Sequence, residues 1–458
     1  MRGRFIAIGI VIVLIFATVA AIRVNTAVGE ARDRRQLDQF INQGNESLLY
    51  DFNYLMHILE ENWPFFNLSK SVNGVDIHQL ADDIRSILSN PATDDMTIHE
   101  FLDFLRVNFF WEVGRIGHLN LMWRYNYYFT SVANLNQIVR DAGATPTNVT
   151  MFHEIYTRPN TALFYQTLRD MGGSTLEHPD SQRIAEIENL SVYETAILQD
   201  GSIAYLAVRQ MLNLREDPRM GNMGQYEAML YEFYGQIEGF DHLIIDMRGN
   251  TGGVNFHFNV FVVSPLLYEE VTLPAYVFYK DGDYSRRLRE TFDLRMWGVG
   301  GSTMQAASFS DPLPYLDTKI NFAHAYYASA SAVAGYTLSN LFAIREDVLF
   351  NGNVWILVDE NTGSAAESAV AMLKFNNLAT VVGEATHGIF GVTTDPIGMT
   401  MSLPNTGMLI RFDVAYYTDT EGRPLQGYGI QPHYFNRPNM DALETVMAMI
   451  AEIDNGGN

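Results

Sequence analysis

A serine between a buried strand and a helix has the clearest potential for chemistry in this chain. Residues 354–358 form an apolar run that predicts a strand, and a helix is predicted from Ala365 to about Phe375. Ser364 lies at the turn, where its Oγ would project from the strand end beside the backbone N–H groups that open the helix. Such N–H groups can stabilise a developing oxyanion. The spacing of Ser364 and Glu367 also fits a capping box, which is a structural alternative.

A glycine-rich turn follows a second predicted strand. Residues 243–246 are a short buried run, and residues 246–253 read D-M-R-G-N-T-G-G. Glycines let the backbone adopt positive φ and approach a ligand closely, and consecutive N–H groups in such a turn can bind an anion. An ordinary tight turn with an Asp246–Arg248 ion pair is the structural alternative.

A histidine could supply the base that a serine nucleophile needs. His118 follows Gly117 and precedes an alternating apolar run. Its imidazole could take the proton of Ser364 Oγ, provided that the fold brings the two side chains together. A structural or solvent-exposed histidine is the alternative.

Taken in order, these segments resemble the motifs of the tail-specific, or C-terminal processing, serine peptidase family. Residues 246–253 resemble its D-x-R-G-N-x-G-G motif, and residues 362–367 resemble its T-x-S-x-x-E nucleophile segment. Residues 383–388 resemble the G-E-x-T-x-G segment, and residues 427–432 resemble the closing G-x-G-[IV]-x-P segment. The order and spacing of four motifs within residues 199–435 make this resemblance specific. Residues 51–66 look like the family's N-terminal helical segment.

The resemblance implies a fold and an activity. The fold would be α/β, with a ββα-spiral core akin to the ClpP and crotonase folds, and the activity that of a serine-type peptidase, a hydrolase of proteins or peptides. Ser364 would be the nucleophile, and the oxyanion hole would come from the backbone N–H of Ala365 and of Gly252 or Gly253.

The chain departs from part of this family at the general base. Members with a Ser–Lys dyad carry the lysine directly after T-x-G, where this chain has Ile389, which cannot accept a proton. Lys374 lies ten residues beyond Ser364, so that a helix would carry it roughly 15 Å away. The other branch resembles the tricorn core protease and uses a histidine from the N-terminal part. His118 matches that histidine, and His387, in the turn beside Ile389, is the alternative base.

Two residues compete for the role of the partner that orients the base. In the histidine-dependent branch an acid precedes the G-x-G-[IV]-x-P segment, but here Gln426 stands next to Gly427. Asp419 and Glu421 lie a little earlier, and our candidates are Gln426 and Glu421. Glutamine could orient the imidazole ring but would stabilise imidazolium less well than a carboxylate.

Composition excludes several classes of function. The chain has 53 Asp and Glu against 30 Lys and Arg, a net charge of −23, which disfavours nucleic acid as a partner. It has no cysteine, so disulfides, thiolate catalysis and cysteine-ligated metals are excluded. His57, His78 and His99 are scattered without metal-ligand spacing, and no cofactor motif is present, so we expect neither a metal nor a cofactor.

The N-terminus predicts export. Arg2 and Arg4 precede residues 5–21, an uncharged apolar run of 17 residues. This pattern is typical of a cleaved signal peptide or an uncleaved membrane anchor. Both place the remainder outside the cytoplasm, either on the cell membrane facing outside or secreted, with no other membrane contact.

The 458 residues are too many for one hydrophobic core and predict two or three domains. We divide them into a signal peptide or anchor (1–29), a linker (30–47), a small helical domain (48–124), a variable insert (125–198) and the peptidase core (199–445). Leu55, Ile58 and Leu59 have helical spacing, and Asp200-Gly201 predicts a hairpin turn between two strands. The oligomeric state is not readable from the sequence.

Three functions are consistent with these observations. The first is an extracytoplasmic serine endopeptidase. The second is an inactive relative that binds peptides or hydrophobic ligands, since the lysine is absent and no acid is apparent. The third is a crotonase-like acyl-CoA enzyme, which the export segment disfavours because CoA is cytosolic.

Overall fold

The structure is a computed structural model, and it describes most of the chain from residue 45 onward. The described residues are 45–114, 116–122, 127, 155–170, 191–211, 223–253, 258–267, 273, 275–286, 299–300, 303–305, 324–330, 350–390 and 399–456. The predicted N-terminal membrane segment lies outside these ranges. Within them, no helix combines the length and the hydrophobicity needed to cross a membrane.

Helices dominate the first part of the described chain. The α-helices are α1 (Asn45–Asn62), α2 (Phe66–Asn73), α3 (Ile77–Leu88), α4 (Ile98–Leu105), α5 (Trp111–Val113), α6 (Pro159–Asp170), α7 (Met223–Gln236), α8 (Ala365–Phe375) and α9 (Ala442–Asp454). Short 3-10 turns cover Pro91–Thr93, Ile116–His118 and Ser264–Leu266, and π-helical turns cover Arg106–Phe110 and Asn259–Val263.

Strands dominate the second part, with helices between some of them. They are β1 (Asn120–Leu121), β2 (Tyr193–Gln199), β3 (Ile203–Val208), β4 (His242–Asp246), β5 (Ala275–Tyr279), β6 (Val299–Gly300), β7 (Thr303–Gln305), β8 (His324–Ala330), β9 (Asn353–Val358), β10 (Thr380–Gly383), β11 (Met399–Ser402), β12 (Leu409–Phe412), β13 (Ala415–Thr418) and β14 (Tyr434–Phe435).

The central sheet has the strand order β14-β10-β9-β4-β3-β2. All neighbours are parallel except β2, which pairs antiparallel with β3 through the predicted hairpin turn. The register places Asp246, the last residue of β4, beside Leu357 of β9. Because parallel strands end at the same edge, the glycine-rich turn after β4 and the serine turn after β9 lie next to each other.

Both faces of the central sheet are covered, which explains why its strands read as continuous apolar runs. On one face Ile244 and Leu357 pack with Val446 and Ile450 of α9. The opposite face belongs to a larger cluster that contains Ile245 together with buried residues of the helical part. The α/β class predicted from the alternation of strands and helices is confirmed.

The helical part is attached to the hairpin formed by β11 and β12. Asp51 of α1 is fully buried, and its carboxylate accepts the N–H groups of Asn405 and Thr406 at 2.8 and 2.7 Å. Burial raises the pKa of Asp51, and these hydrogen bonds oppose the rise. Strand β1, which follows the helical part, pairs antiparallel with β12, with Leu121 opposite Ile410.

The predicted boundaries of the elements are close to the observed ones. The helix predicted from Ala365 to about Phe375 is α8, and the hairpin turn predicted at Asp200-Gly201 connects β2 with β3. Within the predicted insert, residues 125–198, helix α6 packs on the remainder of the fold, since Tyr165 Oη donates to the Met122 carbonyl at 2.7 Å. The domain boundaries themselves stay predictions.

Candidate active site

Ser364 has an unusual backbone conformation. Its φ of 55° and ψ of −119° lie in a region that L-residues rarely adopt, at a cost of roughly 1–3 kcal/mol. Hydrogen bonds from the two residues before Ser364 hold the turn: the Gly363 N–H donates to the Asn250 carbonyl at 2.9 Å, and Thr362 Oγ1 donates to the Met247 carbonyl at 3.1 Å. The glycine-rich turn therefore supports the serine turn directly.

The serine combines the two roles that its sequence context allows. Glu367 accepts the Ser364 N–H at 2.9 Å, as in a capping box. Ser364 Oγ lies 3.3 Å from Nε2 of His118, within reach of a weak hydrogen bond. The structural and the chemical role of Ser364 therefore coexist.

Glu367 is a fully buried carboxylate that accepts hydrogen bonds from several residues around the serine turn. In addition to the Ser364 N–H, its carboxylate accepts Thr386 Oγ1 at 2.6 Å and the Gly388 N–H at 2.7 Å. Thr386 Oγ1 in turn accepts the Ile430 N–H at 2.7 Å. Burial raises the pKa of Glu367 to about 7, and the hydrogen bonds hold it below what burial alone would produce. The Glu367 carboxylate therefore joins its own motif to residues 383–388, and Thr386 extends the connection to the closing motif at Ile430.

A tight turn after the helical part positions His118. Gly117 has φ 59° and His118 has φ 47°, and a Cβ on Gly117 would lie 2.5 Å from the Phe65 ring and 2.6 Å from Trp63 Nε1. Only glycine fits at this close approach. The His118 side chain is 12% exposed, so the ring is largely buried but still in contact with solvent.

Asp413 is the carboxylate beside His118, and sequence reasoning missed it. Its Oδ2 lies 2.6 Å from His118 Nδ1, its side chain is only 2% exposed, and its N–H donates to the Gly117 carbonyl at 2.7 Å. The residue lies between β12 and β13, two buried apolar strands. An acid at such a position is the signal that could have identified it, because unpaired buried carboxylates are rare.

The predicted acidic partners occupy other positions. Gln426 is fully buried, and its Nε2 donates to Asp413 Oδ2 at 3.1 Å and to the Phe390 carbonyl at 2.5 Å, so it contacts the acid and not the histidine. Glu421 is half exposed, and its carboxylate pairs with Arg423 at 2.5 Å. The geometry therefore corrects the assignment: Asp413, and neither Gln426 nor Glu421, contacts the imidazole.

The alternative base is directed elsewhere. His387 is exposed, and its Nδ1 lies 3.0 Å from the Glu360 carbonyl oxygen. Ile389, at the position of the dyad lysine, packs against the serine turn, with Cδ1 3.2 Å from where a Cβ on Gly363 would lie. Lys374 donates to the Gln431 carbonyl beyond the far end of α8. Of the two candidate bases, His118 is the one that contacts Ser364.

The glycine-rich turn brings backbone N–H groups to the serine. A Cβ on Gly252 would lie 2.7 Å from Ser364 Cβ and 2.9 Å from the Ala365 nitrogen. The Gly252 N–H donates to Asn250 Oδ1 at 3.0 Å. No hydrogen bond within the described part of the chain engages the N–H of Gly253 or of Ala365. Within the described residues the N–H groups of Gly253 and Ala365 therefore have no acceptor, whereas the Gly252 N–H is already engaged.

An ion pair stabilises the start of the same turn. Asp246 is fully buried and accepts Nε and Nη2 of Arg248 at 2.9 and 2.7 Å, together with Tyr205 Oη at 2.6 Å. The Asp246 hydrogen bonds raise the pKa of Arg248 above its already high value. The expected Asp246–Arg248 pair is thus present and anchors the turn that reaches Ser364. No cluster of His, Asp and Glu suited to a metal ion occurs among the described residues.

Comparison with known proteins identifies the family of this chain. Residues 202–435, just over half of it, match the family model described as peptidase family S41. A comparison with curated proteins found no match.

The solved structures that resemble the chain share little of its sequence. Mature CPAF is 12% identical and has a TM-score of 0.52, covering 90% of this chain and 99% of its own. A protein from Parabacteroides merdae is 18% identical with a TM-score of 0.48, over 88% of this chain and 96% of its own. The photosystem II D1 C-terminal processing protease is 16% identical with a TM-score of 0.30, over 54% of this chain and 48% of its own. The likeness to CPAF supports the fold alone.

Proposed function

Since the chain belongs to peptidase family S41 and is a serine peptidase, we propose that Ser364 is its nucleophile and His118 its general base. One observation carries the proposal: His118 Nε2 faces Ser364 Oγ at 3.3 Å while Nδ1 faces Asp413 at 2.6 Å. This is the order of contacts that proton transfer from a hydroxyl requires.

The reaction begins with attack on a peptide bond of a protein or peptide. His118 Nε2 takes the Oγ proton as Oγ bonds to the carbonyl carbon, and the carbonyl oxygen becomes an oxyanion. The protonated ring then donates this proton to the leaving nitrogen as the C–N bond breaks. Water, activated by the same imidazole, attacks the acyl-serine ester and releases the new carboxylate, which regenerates Ser364.

Asp413 gives the imidazole its orientation. With Nδ1–H donated to Oδ2, the tautomer that leaves Nε2 free as a proton acceptor is selected, and the imidazolium formed during the reaction is stabilised. Gln426 donates to the same oxygen and so keeps the carboxylate in this rotamer. The N–H groups of Ala365 and Gly253 are the proposed oxyanion donors, because Ala365 directly follows the serine and neither N–H is engaged by a hydrogen bond within the described residues.

A labelling experiment tests the proposal. A fluorophosphonate probe should label the wild-type enzyme and leave Ser364→Ala unlabelled, and turnover of an unfolded protein should be lost in parallel. Ser368→Ala, one helical turn later, is the matched control and should retain labelling. Equal labelling of wild type and Ser364→Ala would refute the nucleophile and favour the binding function considered above.

We further propose that the core is a ββα spiral and that the enzyme works outside the cytoplasm, on the cell surface or secreted. The spiral is supported by the parallel strands β3, β4, β9 and β10 with helices between them.

Export is supported by Arg2 and Arg4 ahead of the apolar residues 5–21. Alkaline phosphatase fused behind residues 1–47 should become active, because it needs the oxidising exterior; an inactive, stable fusion would contradict export.

A further inference from the structure

Arg411 is an arginine without an ionic partner close to the proposed base and acid. It lies on β12, two residues before Asp413, and is partly exposed. Among the described residues no acceptor binds its guanidinium, and Nε is buried without a hydrogen bond. Arg248, by comparison, binds Asp246 at 2.7 Å. Because arginine stays charged at every pH of interest, Arg411 carries a positive charge that no neighbouring carboxylate balances in the described part of the chain.

The register of the short antiparallel sheet shows where this side chain lies. Arg411 is opposite Asn120 of β1 on one side and Thr400 of β11 on the other. Residues opposite each other on antiparallel strands place their side chains on the same face. Thr400 is buried whereas Asn120 is exposed, so this face is open on the side of β1. Since Asn120 Nδ2 donates to the His118 carbonyl at 3.1 Å, the open side borders the turn that carries the base.

Arg411 and the base are close enough to contact one substrate segment. Asp413 follows Arg411 by two residues, so the alternation of an extended chain places both side chains on one face, about 7 Å apart. Asp413 contacts His118 directly. The register through Asn120 limits the separation of the His118 and Arg411 Cα atoms to about 12 Å. An extended peptide covers about 3.3 Å per residue, so at most about four residues span this distance.

The ligand that complements this guanidinium is a carboxylate. Arginine binds carboxylates through paired N–H donors, and such charge-assisted hydrogen bonds are among the stronger ones in proteins. Burial of Nε removes water from one edge of the group, and partial desolvation strengthens its attraction to an anion. The whole chain has a net charge of −23 and repels acidic peptides at long range. A local cation is therefore what retains an acidic residue at this site.

We infer that Arg411 selects an aspartate or glutamate side chain of the substrate, within about four residues of the bond that is cleaved. The inference deepens the proposed function and rests on it, because the substrate is the peptide that Ser364 attacks. It concerns a side chain and not the chain terminus, since the face of Arg411 is open towards β1 and a peptide can continue past it.

Digestion of an unfolded test protein by the full chain is the first experiment. Mass spectrometry of the products locates the cleaved bonds. In wild type, Asp and Glu should be enriched several-fold within four residues of these bonds, at one preferred position. The enrichment should disappear in Arg411→Met, whereas Arg411→Lys should retain part of it because the charge is kept.

Peptides built on one cleaved site measure the preference. Three versions carry Glu, Gln or Lys at the preferred position, and all end in an amide, so the side chain is the only carboxylate that distinguishes them. The wild-type kcat/KM should be roughly tenfold higher for Glu than for Gln, mainly through KM, because the contact exists before and during the reaction. Arg411→Glu should reverse the preference and favour Lys. A purely structural arginine would instead lower the activity on all three peptides alike.

Two further variants serve as controls. Arg158→Gln removes an exposed arginine just before α6 and should leave the preference unchanged. Should the Arg411 variants fail to fold, as judged by their melting curves, Asn120→Asp replaces them. Its new carboxylate lies opposite Arg411, should neutralise it and should bring kcat/KM for the Glu peptide down to that for Gln. This ratio is independent of any change in overall activity.

The outcomes separate this inference from the proposed function. Equal kcat/KM for the Glu and Gln peptides in wild type, or a preference that survives Arg411→Met, overturns the role of Arg411 while labelling of Ser364 stands. If no peptide is hydrolysed, the proposed function fails. Fluorescence anisotropy of the same peptides, labelled with fluorescein, then decides the inference: tighter binding of the Glu peptide that is lost in Arg411→Met supports it, and equal binding overturns it.

Discussion

Asp413 Oδ2 lies 2.6 Å from His118 Nδ1, although the two residues are 295 positions apart in the chain. The pairing of β1 with β12 creates this contact, because His118 lies two residues before the start of β1 and Asp413 immediately follows β12. A hydrogen bond from the Asp413 N–H to the Gly117 carbonyl extends the pairing by one step. The short antiparallel sheet therefore assembles the acid and the base, and the parallel sheet presents the serine to them.

Replacement of each histidine distinguishes the two candidate bases. His118→Ala should lower kcat by at least about a thousandfold, because no other described side chain contacts Ser364 Oγ as a proton acceptor. His387→Ala should stay within a fewfold of wild type, since its ring is exposed and faces the Glu360 carbonyl. Steady-state peptide hydrolysis measures both. The reverse ranking would move the base to the loop beside Ile389.

Asp413→Asn should retain the fold and lose most of the activity. The amide can still contact His118, but it no longer favours the tautomer that leaves Nε2 free, and kcat should fall by roughly 10³–10⁴-fold. Asp82→Asn, which removes an exposed carboxylate paired with Arg85, is the control and should be neutral. A decrease of less than tenfold in Asp413→Asn, measured at several pH values, would show that the carboxylate does not orient the base.

Glu367 should make stability depend on pH. Burial raises its pKa to about 7 from an ordinary value of 4.5. Between these values the folded state binds more protons than the unfolded state, so the Glu367 contribution to the free energy of unfolding is largest below pH 4.5 and is lost as pH rises through 7. The loss amounts to at most about 3 kcal/mol.

Denaturant titrations of Glu367→Gln across pH 4–8 measure that contribution, since glutamine does not titrate and should flatten the profile relative to wild type. Glu444→Gln alters the exposed capping-box residue of α9 and should keep the wild-type slope. Parallel profiles for wild type and Glu367→Gln would mean that Glu367 titrates normally in the folded protein.

Gly252→Ala should damage catalysis more than folding. The added Cβ would lie 2.7 Å from Ser364 Cβ at a φ of 100°, which must displace the serine, and a decrease in kcat of about a hundredfold or more is expected. Gly235→Ala, inside α7 with open space around its Cβ, should instead stabilise the protein slightly. Retention of full activity by Gly252→Ala would show that the two turns do not need their present contact.

The parts of the site that lie within continuous segments of the chain could be predicted from the sequence. The strand–serine–helix segment and the glycine-rich turn are continuous in the chain, and hydrophobic periodicity together with glycine positions describes such segments well. The substitution of Ile389 for a lysine was equally readable, since it concerns one position in a motif. These observations led to Ser364 and His118, whose catalytic roles stay predictions.

Pairing between strands that are far apart in the chain could not be predicted from such local patterns. The motif order suggested Gln426 or Glu421 beside the histidine, yet Gln426 contacts the acid and Glu421 faces Arg423. Nothing in the local pattern of β12 specifies that it pairs with β1, and Asp413 has no motif around it.

The sequence by itself determined the α/β class, the serine turn and the lack of a lysine base, because each is a property of adjacent residues. Only the tertiary structure decided that Asp413 contacts His118 and that the Gly252 N–H donates to Asn250 Oδ1. These are contacts between segments far apart in the chain, and their free energy depends on burial and register that no local pattern specifies.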